Sequence, residues 1–296
     1  MSSKISLIIP VFNEYGEIEN FFNELKKCNF DLIDEIIFIN DCSTDNSLEL
    51  LQKKINEFKS LNFNINLIVI NNLKNRGYGF SIKKGVYKSK NESIAIIDLD
   101  RTYKIDDLNN ISHEFINSHQ LQYDLIIGQR KIDITNTSRL KIIGKTIVNK
   151  ITNFCFNEKI VDYNSGLRVF NKNKFVKHSH MMSNRFSLTT SMTITFMSEN
   201  YDIKFHEIKY EKRSGISKLG FKDFFKFIYT IFSLLFYYRP FKIILPIFIP
   251  LFITFILFLI NDINSKDITD KTVLLFNFNF LTIILIFVID RINKLK

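Results

Sequence analysis

Two carboxylates one residue apart, Asp98 and Asp100, follow the apolar run Ser93-Ile94-Ala95-Ile96-Ile97. Side chains at i and i+2 of a strand share a face, so both groups can reach one site as the chain leaves a sheet. Hard divalent cations such as Mg²⁺ or Mn²⁺ take one or two protein carboxylates and complete their shell with water and phosphate oxygens. The spacing therefore suits a Mg²⁺ or Mn²⁺ site for a nucleotide diphosphate, with Asp98 and Asp100 as metal ligands. The same pair would also suit a helix cap or a loop turn, and the surrounding elements must decide.

Those elements alternate. Ile5 to Pro10, Glu35 to Asn40, Asn66 to Ile70, Ser93 to Ile97 and Leu125 to Gly128 read as strands. Between them Glu17 to Lys27, Ser47 to Lys59, Gly79 to Lys88 and Asp106 to Asn117 read as helices, with Asp45 the expected N-cap of the second. Strand and helix in alternation imply right-handed crossovers and a mostly parallel α/β sheet covered on both faces, which binds ligands at the carboxyl ends of its strands. Polar clusters sit at those ends: Asn13-Glu14, Asp41 to Asp45, Asn75-Arg76-Gly77 and Asp98-Leu99-Asp100. Four strand ends with the same character favour the metal reading over a chance pair.

In their order and spacing, Leu7-Ile-Ile-Pro-Val-Phe-Asn-Glu14, Ile39-Asn-Asp-Cys-Ser-Thr-Asp45, Asn75-Arg-Gly-Tyr-Gly79 and Asp98-Leu-Asp100 resemble the motifs of family 2 inverting glycosyltransferases with the Rossmann-like GT-A fold of nucleotide-diphospho-sugar transferases. Arg101-Thr102-Tyr103, Gly128-Gln129-Arg130, Asn164-Ser-Gly-Leu-Arg168 and Arg213-Ser-Gly-Ile-Ser-Lys218 are similar to the dolichyl-phosphate mannose synthase and polyprenyl-phosphate glycosyltransferase branch. The resemblance runs from about Ile5 to Lys218. It implies that Pro10, Glu14, Asp41 and Asp98 line a nucleotide-sugar pocket, with Asp41 facing the base, and that Asp98 and Asp100 hold the metal on the diphosphate. Gly77 and Gly79 fit a backbone that approaches the nucleotide sugar, and equally fit plain turns. Asn40 stands where the family commonly has a first Asp. Thr102 stands where mannose synthases supply a third metal-ligating side chain.

A hydroxyl acceptor requires a general base, usually a carboxylate. From Tyr163 to Ser198 the chain has no Asp or Glu, and where hydroxyl-directed relatives show an acidic pair it reads Asn184-Arg185-Phe186-Ser187. A phosphomonoester, with a second pKa of about 6, is mostly ionised at neutral pH and needs only to be positioned by cations. Arg130, Arg139, Arg168, Arg185, Arg213 and Lys218 are the cations on offer. Of these Arg130, Arg139, Arg168, Arg213 and Lys218 are expected at the acceptor phosphate, with Arg130 and Arg213 also taking part in catalysis. Asp162 is the acid nearest the gap and is expected either to orient an arginine or to act on the acceptor. His178 and His180 lie in a Lys-rich stretch that reads as a solvated turn.

The 296 residues are 46% hydrophobic, enough for one core and a further element. Ile243 to Ile260 and Thr272 to Ile289 each lack a charged side chain and approach the length that crosses a hydrocarbon core of about 30 Å. They read as a two-helix transmembrane hairpin. Ahead of them Phe221 to Tyr238 crowds Phe, Ile and Leu around a helix, as either an interfacial helix or a packed core helix. Arg239 and Lys242 before the first span, and Arg291, Lys294 and Lys296 after the second, place both ends on the cytoplasmic side and the loop on the other. The start lacks a signal-peptide pattern. Cys28, Cys42 and Cys155 have no metal-ligand spacing and read as reduced thiols of a cytoplasmic domain. The net charge of +10 is scattered and forms no nucleic-acid recognition module, so it fits phosphorylated substrates beside an anionic membrane and no nucleic-acid partner.

The expected organisation is a catalytic domain over 1–220, an interfacial helix over 221–239 and a hairpin over 240–296 that also offers a surface for homo-oligomers. The location is a cell inner or plasma membrane, crossed more than once. The expected activity is transfer of a sugar from a UDP- or GDP-linked donor to a dolichyl or undecaprenyl phosphate. Transfer to a hydroxyl of a lipid-linked or surface glycan, and a non-catalytic scaffold on the same fold, are the alternatives. The absence of Trp removes the Gln-x-x-Arg-Trp motif of processive synthases.

Overall fold

The computed structural model describes residues 4–28, 30–61, 64–117, 123–130, 146, 150–156, 162, 164–209 and 221–294, with the side chains of 221–224 and 293–294 left aside. Its chain divides into two compact units, residues 1–139 with 161–230, and residues 140–160 with 231–296.

The first unit is built on strands β1 (Ile5–Val11), β2 (Ile33–Asn40), β3 (Asn66–Asn71), β4 (Ser93–Ile96), β5 (Leu125–Arg130), β6 (Arg168–Asn171) and β7 (Ile203–Ile208). They form one seven-stranded sheet in the order β3-β2-β1-β4-β6-β5-β7. β6 alone runs against its neighbours β4 and β5, while the other pairs are parallel. The sheet is thus mostly parallel, as the alternation of elements predicts.

Near-continuous apolar strands follow from burial on both faces. Alternate residues of each strand go to opposite sides. Leu7, Ile9, Ile36, Phe38, Ala95 and Val169 enter one core, which is shared with α1 (Tyr15–Leu25), α2 (Ser47–Lys59) and α4 (Ile105–Asn117). Ile8, Ile37, Ile39, Ile94, Ile96 and Phe170 enter the other, shared with α3 (Tyr78–Lys88), α5 (Lys172–His178) and α6 (Leu188–Ser198). Phe22 stacks on Phe38 at 5.6 Å between ring centroids and meets Phe58 edge-on, which locks α1 and α2 over β2. On the opposite face α3 lies so close to β1 that a Cβ on Gly85 would fall 2.6 Å from Ile8 Cγ2.

Two expectations are corrected locally. The N-cap of α2 is Asn46, one residue later than Asp45. The Asp45 carboxylate still serves the helix start, accepting from Ser47 N at 3.1 Å. β4 ends at Ile96, so Asp98 and Asp100 occupy the turn beyond it and owe their pairing to that turn. Leu99, 2% exposed, anchors the turn between them.

α7 (Phe221–Tyr238) runs from the first unit into the second, which also contains α8 (Pro240–Ser265) and α9 (Asp270–Lys294). α8 and α9 are each long and apolar enough to cross a membrane. Phe241 lies against Phe287 and Phe255 against Phe276, so the two helices pack antiparallel. Asp262 closes the connection, accepting from Thr269 N at 2.7 Å and Thr272 Oγ1 at 2.6 Å.

Replacing Gly85 by Ala should destabilise the first unit by about 1–3 kcal/mol, because the buried, β-branched Ile8 has no room to yield. A thermal melt of the purified chain in detergent checks this, and an unchanged melting temperature would show that α3 can shift outward.

Candidate functional site

A cavity of ≈ 260 Å³ opens at the carboxyl edge of β1, β2 and β4, walled by Pro10, Glu14, Asp41, Gly77, Asp98 and Asp100. Phe12, Asn75, Tyr78, Ser81 and Phe186 complete most of its lining. Six residues singled out from separate stretches of sequence therefore share one concavity.

Asp41 builds one wall. It is 4% exposed, and its carboxylate accepts from Asn72 Nδ2 at 2.8 Å, Arg76 N at 2.9 Å and Gly77 N at 2.7 Å. Gly77 has φ +95°, a conformation open to glycine, and this turns its N–H toward Asp41. Gly79 is absent from the lining. A Cβ there would lie 2.3 Å from Ser183 O, so its role is to admit the backbone of residues 183–185 against the start of α3. Asn40 holds the turn that follows it, accepting from Ser43 Oγ at 2.6 Å.

The Asp98–Asp100 turn is fixed from two sides. Thr102 donates its hydroxyl to Asp100 Oδ1 at 2.7 Å, with its N–H on the same oxygen. A Cβ on Gly166 would lie 2.4 Å from Asp98 Oδ2, so only glycine lets the carboxylate sit there. Tyr103, 3% exposed, accepts the Gly166 N–H at 2.7 Å, and burial raises its pKa. Burial also raises the pKa of Tyr78, with the Asp98 carboxylate adding to the effect. Two carboxylates in one concavity, one in a cradle that a side chain at Gly166 would fill, form a hard-oxygen donor pair that fits Mg²⁺ or Mn²⁺. Tyr78, Gly166 and Phe186 are functional neighbours that sequence reasoning did not single out. All three lie within marked stretches, Asn75-Arg-Gly-Tyr-Gly79, Asn164-Ser-Gly-Leu-Arg168 and Asn184-Arg185-Phe186-Ser187, whose other residues carried the signal.

The residues expected at the acceptor separate. Arg130, at the end of β5, grips Asp162 with Nε to Oδ2 at 2.7 Å and Nη2 to Oδ1 at 2.9 Å. Asp162 is 2% exposed, and burial pushes its carboxyl up. The hydrogen bonds and charge of Arg130, with the N–H groups of Arg130 and Asn164, outweigh this and leave its pKa below the usual carboxylate value. A carboxylate so held is a poor general base and a good orienter of Arg130. Arg168 is corrected from an acceptor ligand to an interior residue. It is fully buried, donates to Ser165 O at 2.7 Å and Thr193 Oγ1 at 2.9 Å, and burial lowers its pKa to about 10. His178 is likewise no solvated turn: it is 7% exposed at the end of α5, 2.8 Å from the Tyr201 hydroxyl, whereas His180 is exposed. Arg139, Arg213 and Lys218 lie outside the described residues.

A family model described as glycosyl transferase family 2 matches residues 6–189. The UDP-N-acetylglucosamine–dolichyl-phosphate N-acetylglucosaminyltransferase of Methanococcus voltae is 27% identical over 243 residues, covering 76% of this chain and 94% of that protein. The dolichyl-phosphate beta-glucosyltransferase of Dictyostelium discoideum is 26% identical over 133 residues, 43% of this chain and 39% of that longer relative. Among solved structures, glucosyl-3-phosphoglycerate synthase from Mycobacterium tuberculosis with Mn²⁺, UDP and phosphoglyceric acid superposes with TM-score 0.59 at 11% identity, covering 79% of this chain and 78% of that one. The same synthase with Mg²⁺ and UDP gives TM-score 0.57 at 12% identity, over 78% and 79% of the two chains. At such identities the likeness establishes the fold, GT-A.

Asp162→Asn leaves Arg130 facing a neutral partner and should cost about 3 kcal/mol, the lower end for a broken buried pair because Arg130 is partly exposed. A carboxylate whose folded pKa is depressed contributes stability above its unfolded pKa of about 3.9, lost as pH falls through the folded value. Acid titration of the melting temperature should therefore fall more steeply below about pH 4 in the parent than in Asp162→Asn. Parallel curves would show that the pair adds nothing to the fold.

Proposed function

The chain belongs to glycosyl transferase family 2, and from that premise we propose that it moves a sugar from a UDP-linked donor to a polyprenyl phosphate at a membrane surface, inverting the anomeric carbon. The composition of the cavity wall is the observation that carries this reading. Its carboxylates are Glu14, Asp41, Asp98 and Asp100, all from the first half of the unit, while the later stretch adds Phe186 and no acid. Asp162, the remaining candidate base, is bound by Arg130 and held in its ionised, weakly basic form. A site that, among the described residues, offers no free base on this side suits a nucleophile that arrives ionised, as a phosphomonoester does near pH 7 with its second pKa of about 6.

Asp98 and Asp100 would hold a Mg²⁺ or Mn²⁺ ion, which when bound offsets the charge that develops on the departing diphosphate. Pro10, Glu14 and the Asp41–Gly77 wall would enclose the nucleotide. Arg130, oriented by Asp162, would present positive charge on the acceptor side, with Arg139, Arg213 and Lys218 as further cations of that end. UDP as the nucleotide is supported by the Methanococcus relative, named for a UDP-sugar, and by the solved neighbour bound to UDP. Dolichyl phosphate in the names of the two curated relatives supports a polyprenyl phosphate acceptor.

The membrane completes the reading. Phe225, Tyr229, Phe232 and Phe236 recur every three or four residues along α7 and are exposed, a stripe suited to the headgroup boundary. With α8 and α9 as a spanning hairpin, this divides the chain into a cytoplasmic catalytic domain over 1–220, an interfacial helix over 221–239 and a hairpin over 240–296. Lys and Arg at both outer ends favour a cytoplasmic face for the domain.

Membranes containing the full chain should move label from a UDP-sugar into an organic-soluble product. Asp98→Asn and Asp100→Asn should each lower that rate by about 10²–10³-fold and weaken Mn²⁺-dependent UDP binding. Label confined to the aqueous phase across a panel of UDP- and GDP-sugars would overturn the acceptor assignment.

A further inference from the structure

The segment Ser183–Phe186 is strapped onto the start of α3 by contacts that the transferase chemistry described above does not use. Asn184 O accepts the Phe80 N–H at 2.9 Å. Lys83 Nζ donates to Met182 O at 2.6 Å and Asn184 Oδ1 at 2.7 Å, and burial lowers its pKa to about 8. The absence of a side chain at Gly79 lets the strap come this close, since a Cβ would strike Ser183 O, Asn184 C and Arg185 O within 3 Å. A half-buried lysine and a helical glycine both cost stability by themselves, so the position of this strap is built.

The strap places Phe186 in the cavity wall and Arg185 beside it. Phe186 is part of the wall that includes Asp98 and Asp100. Arg185 lies along Gly77, another wall residue: its Cδ is 2.7 Å and its Nη1 3.4 Å from where a Gly77 Cβ would stand. The other described guanidinium groups of the first unit are engaged. Arg76 lies over the Phe80 ring, Arg101 pairs with Glu24, Arg130 is held by Asp162 and Arg168 is buried. Arg185 is exposed and, among the described residues, pairs with no carboxylate.

We propose that Arg185 is a phosphate-contacting residue of this site, presented at the cavity rim by the strap. Its ligand is a phosphate oxygen, belonging to the donor diphosphate or to the acceptor monophosphate; that choice of sources rests on the transferase reading given above. A guanidinium matches phosphate with two parallel N–H donors.

Calorimetry on the full chain in detergent micelles tests this with two probes, UDP with Mn²⁺ and farnesyl monophosphate. Arg185→Gln should weaken one of them by about 10–100-fold, the loss expected when a charge-assisted hydrogen bond is removed, and Arg185→Lys should recover part of it. Loss confined to UDP assigns Arg185 to the donor, and loss confined to farnesyl monophosphate assigns it to the acceptor. Unchanged binding of both probes, at an unchanged melting temperature, overturns the proposal. Failure of the polyprenyl acceptor reading is seen elsewhere, as an unmodified chain that transfers no label to lipid, and leaves the UDP measurement standing.

Discussion

The Asp41 carboxylate is the contact from which the site is laid out. Buried at the end of β2, it must be satisfied, and it takes three N–H donors from the loop after β3. This sets where Gly77 turns, where α3 begins, and so where the strap of residues 183–186 can dock. A carboxylate has about four acceptor positions, so three internal donors leave room for one more from within the cavity. Asp41 therefore shapes the pocket. The sheet supplies the remaining condition, because parallel strands bring β1, β2 and β4 to the same edge.

The first half of the domain is legible in the sequence because its chemistry sits at strand ends. Once Ile5, Glu35, Asn66 and Ser93 are seen to open apolar runs, the polar residues that follow each run must share one edge. The second half resists for physical reasons. β6 has four residues and begins with Arg168, and β7, Ile-Lys-Phe-His-Glu-Ile, lies at the edge of the sheet. In α6, Leu-Thr-Thr-Ser-Met-Thr-Ile-Thr-Phe-Met-Ser, nearly every residue is buried, so no apolar stripe marks it as a helix. Ser191 donates to Leu188 O, Thr193 to Thr189 O and Thr189 to Asn164 Oδ1, while the buried Thr195 hydroxyl has no partner among the described residues.

The arginines show the same limit more sharply. Charge alone makes Arg130, Arg168 and Arg185 equivalent, yet their surroundings give three different groups. Arg130 meets an acid 32 residues away in sequence, a pairing that no local pattern announces. Arg168 lies inside the fold, where the loss of hydration is offset by a carbonyl, a hydroxyl and the field of the Asp162 carboxylate. Arg185 keeps its charge at the surface because the strap holds it there.

Donor and acceptor ends of a displacement must also be fixed relative to one another, since misplacement of about 1 Å can cost 10²-fold in rate. The fold does this by passing the second half of the domain directly behind the Asp98–Asp100 turn. Gly166, in the segment that leads into β6, presses its bare Cα on Asp98, and its N–H is bonded to Tyr103 from the stretch just after Asp100. Two residues further on, Arg168 bonds back to Ser165 and across to α6, which starts just beyond the strap bearing Arg185 and Phe186. The Asp98–Asp100 turn and the start of α6 are thus tied through packing on Gly166 and the buried hydrogen bonds of Tyr103 and Arg168, which in the proposed reaction would hold its two sides in register.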